Sequence, residues 1–66
     1  MQELAVKEYL KAIEFELKIE PEKMNNMLMS SLYLELGSIY HDLRKISDAR
    51  CSFDNAFSYG KTHLLN

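Results

Sequence analysis

Tyr33-Leu34-Glu35-Leu36-Gly37-Ser38-Ile39-Tyr40, followed nine positions later by Ala49 and then by Phe53 and Ala56, is the stretch that decides the fold. Tyr33, Leu36 and Tyr40 recur at spacings of three and four, the period of one helix face. The apolar face is wider than those three residues. Met24, Met27, Leu28, Leu32, Ile39 and Leu43 extend it, so the spacing predicts a helix over 24–43 that is buried on two sides. Gly37 interrupts that helix at a cost of about 1 kcal/mol relative to alanine. Its presence there calls for the close approach of another backbone.

Upstream, the only strong punctuation is Glu20-Pro21-Glu22-Lys23. Pro21 suits the first turn of the following helix, where its missing N–H is an orphan in any case. Before it, Leu4, Ala5, Tyr9, Ala12, Ile13 and Leu17 share one face, and Lys7, Glu8, Lys11, Glu14 and Lys18 take the other. That alternation predicts a helix over 2–19, with Glu14–Lys18 a favourable i,i+4 pair. Downstream, Arg44-Lys45-Ile46 reads as a short turn, Ser47 as an N-cap and Asp48 as a first-turn acid. Ala49, Phe53, Ala56, Phe57, Gly60 and Leu64 then share a face, predicting a third helix over 48–63 that frays near Gly60. No segment alternates with period two. The expected fold is all-α, three antiparallel helices with no sheet.

The two outer helices carry a common pattern. Ala5, Tyr9 and Ala12 read A-x3-aromatic-x2-A, and Ala49, Phe53 and Ala56 repeat it at an offset of 44 residues. Small residues on successive turns let a neighbouring helix come close, and the aromatic fills the gap between them. Taken with Tyr33, Leu36, Gly37 and Tyr40, the chain resembles the tetratricopeptide repeat, whose pattern is W-x2-L-G-x2-Y…A-x3-F. With Ser30 as the first position, residues 30–63 match one full repeat, and 2–19 match the second helix of a preceding one. The whole of 1–66 is then a single domain, a fragment of a longer superhelix. Two features depart from the family. The offset of 44 exceeds the standard 34, which implies longer helices, and Lys61 and Leu17 stand where a proline usually follows the second helix.

The resemblance implies an expectation for Gly37. It sits where the helices of a pair cross, opposite Ala49, and the pair closes because neither side chain is large. The resemblance also implies a protein–protein interaction scaffold without catalysis, holding a protein or peptide partner. In that family the inner face of the first helix of each pair lines the groove, and the matching positions are Ser31, Leu34, Ser38, His41 and Asp42. The clamp that holds chaperone C-termini needs Lys and Asn where this chain has Leu34 and Ser38, so a chaperone-tail receptor is not expected. Two alternatives accompany the scaffold reading. One is a self-associating structural element, a homodimer formed through exposed helix faces. The other is part of a peptide-sensing regulator.

Composition and motifs exclude most chemistry. A chain of 66 residues and 7.7 kDa holds one small domain, and 47% apolar with 27% charged residues suits a folded helical one. A net charge of −2 carries no nucleic-acid footprint, and Arg44, Lys45 and Arg50 lack interleaved aromatics. Gly60-Lys61-Thr62 resembles the end of a phosphate loop, but Asn55 stands where the first glycine belongs and no strand precedes it. His41, Cys51 and His63 are the only soft ligands, and 12 residues along one helix separate the last two, so no metal or cofactor is expected. Cys51 reads as a helix-face residue. Glu14, Glu16, Glu20 and Glu22 read as a solvated acidic rim, and Met24, Met27 and Met29 as core filler. Met1 to Ala5 show no leader pattern and no apolar run nears ~20 residues. An intracellular chain, cytoplasmic or nuclear, is the expectation.

Overall fold

The computed structural model describes the backbone of residues 2–65 and the side chains of residues 2–61. Three helices run in order: α1 over Gln2–Leu17, α2 over Asn26–Asp42 and α3 over Ile46–Leu65, with a 3-10 turn at Pro21–Lys23 after α1. No strand occurs among the described residues. The all-α, three-helix architecture expected from the periodicity is therefore the one observed. α2 is central and packs against both neighbours, most extensively against α3. Ser30 meets Ala56 and Gly37 meets Phe53, so α2 and α3 run antiparallel.

The element ends depart from the sequence reading, each for a local reason. α1 stops at Leu17, not at 19. The Lys18 and Ile19 N–H groups donate to the Phe15 and Glu16 carbonyls, tightening the last turn. Glu20, immediately before Pro21, then takes an extended conformation (φ −54°, ψ 137°), as the proline ring requires of its predecessor. Pro21 opens the separate 3-10 turn rather than α2 itself. α2 begins after Asn25, whose Oδ1 accepts the Leu28 N–H at 3.0 Å, and the apolar run through Met24 had hidden this cap.

The start of α3 differs as well. Its first turn closes with the Ala49 N–H donating to the Lys45 carbonyl at 2.9 Å, so Ile46 and Ser47 lie inside the helix. Ser47 is not the cap. The cause is the preceding turn, in which Lys45 N–H donates to Tyr40 C=O and Arg44 N–H to His41 C=O, the paired bonds of a Schellman stop. Arg44 sits at its left-handed position with φ 65°, where glycine is usual. That stop turns the chain straight into the next helix. α3 continues helical through Gly60, without the expected break.

Packing follows a simple division. α2 supplies bulk, with Met29 and Leu36 fully buried, and Ile13 of α1 completes that cluster. α3 supplies slimness: among its described side chains Ala49, Ser52 and Ala56 are the buried ones, at spacings of three and four along one stripe. Val6, Tyr9, Met24, Leu32, Tyr33, Tyr40 and Tyr59 close over the cluster. Burying each large aliphatic side chain contributes roughly 1.5–3 kcal/mol. The apolar pattern overreached at the edges. Leu17, Met27 and Leu28 are exposed, so of the three methionines Met29 alone is deeply buried while Met24 packs at the margin. On α1 the most buried side chain is Ile13, with Ala12 only half-buried.

Gly37 is buried, as a crossing point should be, and the atoms that come nearest to it from α3 belong to Phe53. A Cβ on Gly37 would lie 2.7 Å from Cε1 of Phe53 and 2.8 Å from its Cδ1. The glycine is the seat of the Phe53 ring. One face of that ring lies against bare backbone and the other side reaches solvent.

Two stability measurements follow. Gly37→Leu displaces the ring and should cost ~1–3 kcal/mol of overpacking in urea titration. The cost should shrink in a Phe53→Ala background, because the two sites touch; equal cost in both backgrounds would place the strain elsewhere. Lys11→Leu, on the exposed side of α1, should change little. At the α2–α3 turn, a left-handed non-glycine residue costs about 1–2 kcal/mol. Arg44→Gly should therefore raise the melting temperature by several degrees, and Arg44→Val should lower it.

Candidate functional site

Ser31, Leu34, Ser38, His41 and Asp42 all lie on α2, and all five are exposed. Spacings of three and four along a single helix align them as one solvent-facing stripe. Rigidity comes from below: α2 is capped by Asn25 at one end, stopped by the Arg44 turn at the other, and seated on Met29 and Leu36. Leu34 is the only apolar member and is 53% exposed. The stripe offers hydroxyls, one imidazole and one carboxylate around a single aliphatic contact. Such a surface suits hydrogen bonding and shape, not charge capture.

At Leu34 the stripe meets a groove between α2 and α3 of 570 Å³. Leu34, Phe53 and Phe57 form its walls, with Ala56 and Gly60 as the floor and Lys61 at the rim. The two phenylalanines are 38% and 73% exposed. Both had been expected on the buried face of the third helix. Phe53 keeps a contact with α2 at Gly37, but the buried positions of α3 go to Ala49, Ser52 and Ala56. The floor is narrow: the Ser30 hydroxyl donates to the Ala56 carbonyl at 2.8 Å, and a Cβ on Gly60 would lie 3.3 Å from Ser30 Oγ. Sequence reading missed this groove. The available signal was the offset of 44, which also pairs buried Ile13 with exposed Phe57.

A second feature braces the hairpin. Tyr33 and Tyr59 stack with centroids 5.8 Å apart and planes at 9°. Burial pushes the Tyr33 phenol above its ordinary value, and the charges that Tyr59 and Cys51 would acquire add to the shift. Burial raises Tyr40 too, with a smaller push from Asp48. The other singled-out groups are spent on local structure or stand apart. Glu16 Oε2 accepts the Asn25 N–H at 3.3 Å, Glu14 pairs with Lys18 and Glu20 with Lys23, both at 3.7 Å. These exposed pairs are worth at most a few tenths of a kcal/mol. No group of three His, Cys, Asp or Glu side chains able to hold a metal occurs among the described residues. Cys51 is exposed, and Gly60-Lys61 is helical rather than a loop. The side chains of Thr62 and His63 lie outside the described residues. Among those residues, no helix is long and apolar enough to cross a membrane.

The raised Tyr33 phenol fixes the sign of one pH effect. The folded state holds this proton more tightly than the unfolded chain, so its contribution is complete below pH ~10 and is lost as pH rises through the folded value. The parent should lose more stability than Tyr33→Phe in thermal melts between about pH 9 and 11. Equal losses would mean that the phenol stays solvated.

Comparison with known proteins finds no family model, no curated protein and no solved structure that matches the chain.

Proposed function

We propose that the chain is a non-catalytic protein–protein interaction module of the tetratricopeptide type, part of a larger scaffold. Its recognition surface is the stripe Ser31, Leu34, Ser38, His41 and Asp42. The observation that carries the reading is the joint placement of these side chains. All five are exposed on the helix that the rest of the chain holds most firmly. The α2–α3 hairpin supports the family resemblance through Gly37, Ala49 and Ala56, which are buried as close-approach residues should be. A nearly neutral stripe with one aliphatic contact selects an uncharged or amphipathic peptide, bound as a helix or an extended segment. An acidic tail finds no basic clamp there. A peptide-sensing regulator is one kind of parent protein in which such a module operates.

Selection of ligands from a random peptide display library, followed by amide shift mapping, tests the reading. The largest perturbations should fall on 31–42. Ser38→Arg, which plants a bulky charge at the centre of the stripe, should weaken the selected peptide at least about tenfold, or 1.4 kcal/mol. Shifts centred on α3 with 31–42 silent would remove the proposal.

A further inference from the structure

We propose that Ser47 is a phosphorylation site, modified by a serine kinase that selects basic residues on the N-terminal side of its target. The site lies where the α2–α3 turn enters α3, and it uses no residue of the α2 stripe.

Charge names the enzyme class. Kinases tell their targets apart largely by charge pattern, and Arg44-Lys45-Ile46-Ser47 sets two cations just ahead of a hydroxyl. An acceptor cleft lined with carboxylates is the complement. Arg44, Lys45 and Arg50 are exposed, and none of them belongs to an ion pair among the described residues. Their charges are uncommitted.

Comparison with the other described serines singles out Ser47. Ser52 follows Arg50 by two residues but is buried, and Ser30 spends its hydroxyl on the Ala56 carbonyl. Ser31, Ser38 and Ser58 are exposed, yet none has a Lys or Arg among the three residues before it. Exposure and upstream cations coincide at Ser47.

The backbone there can be presented to an enzyme. Residues 44–48 are all exposed, and Ala49 is the first side chain of α3 that the interior holds. Arg44, at φ 65°, is strained against the turn that its own N–H and that of Lys45 help to close. Local opening of this turn therefore uncovers no buried side chain and relieves the strain.

ATP is the phosphoryl donor. Ser47 Oγ attacks the γ-phosphorus, and a new Oγ–P bond forms as the bridging P–O bond breaks. ADP leaves with the electron pair, and the hydroxyl proton passes to the kinase's base. The product phosphate lies in the first turn of α3, with Arg50 three residues on. Ser47 and Arg50 line one cavity of 300 Å³ together with Ile46, Cys51 and Asp54. Arg44, Lys45 and Arg50 outnumber Asp48 and Asp54 around it, so charge-assisted bonds to the phosphate clamp the turn shut.

Incubation of the 66-residue chain with ATP, Mg²⁺ and the catalytic subunit of the cyclic-AMP-dependent kinase, an arginine-directed enzyme, tests the site. Peptide fragmentation should find one phosphoryl group, on Ser47, and Ser47→Ala should take up none. Arg44→Asn removes the charge but keeps a residue that tolerates the left-handed turn; it should lower kcat/KM at least about tenfold. Lys7→Gln on α1 should leave it unchanged. The phosphorylated chain should melt a few degrees above the unmodified one, and Arg50→Gln should remove most of that gain. Absence of phosphate on Ser47 overturns the proposal. So does uptake that Arg44→Asn leaves undiminished, or a phosphorylated chain that melts no higher than the parent.

Discussion

The seating of the Phe53 ring on Gly37 is the contact on which the rest of the packing depends. A side chain at 37 would displace the ring from its seat on α2. With hydrogen there instead, α3 buries the small stripe of Ala49, Ser52 and Ala56 while α2 buries Met29 and Leu36. The hydroxyl of Ser30 then comes within bonding distance of the Ala56 carbonyl, and Tyr33 within stacking distance of Tyr59. Each of these contacts presumes the spacing that the glycine sets. The glycine's helix penalty of about 1 kcal/mol is offset by the side chains that close approach lets dock.

The same arrangement explains why the functional surfaces lie where they do. A narrow α3 sinks toward α2 along its alanine stripe, which rotates Phe57 out to solvent and leaves the other side of α2 open. One consequence is the polar stripe from Ser31 to Asp42. Another is the apolar groove at Leu34.

Much of the fold was legible because helical periodicity and punctuation are local properties. The three helices come from spacing, and the burial of Gly37 from the cost of a glycine inside one of them. What spacing could not resolve was rotation about each helix axis by a fraction of a turn. Phe53 and Ala49 are four residues apart on one face, and only the three-dimensional crossing decides which of them meets Gly37. The same small rotation decides that Ile13 rather than its neighbour Ala12 is the buried residue of α1, and exposes Phe57, Met27 and Leu28. The ends were obscured for a different reason. Capping depends on single hydrogen bonds, and Asn25 sits among apolar residues that read as helix already. Arg44 adopts a backbone conformation that its residue type disfavours, so no composition rule marks it. The candidate stripe came from the family resemblance, and the structure adds that 31, 34, 38, 41 and 42 are all exposed on α2. The groove was not, because it belongs to two helices at once.

Ile13 has one further consequence. It is the only buried residue on α1, and α1 leans on α2 without the second buttress that α2 receives from α3. Local opening free energies follow the apolar surface that an element buries. The first cooperative unit to open is therefore α1, while the α2–α3 hairpin persists as the more protected one. Native-state hydrogen exchange would divide the chain accordingly, with the amides of 6–17 exchanging through a sub-global route and those of 29–40 following the global one. The hairpin that carries both candidate surfaces is then the part of the chain that outlasts partial unfolding.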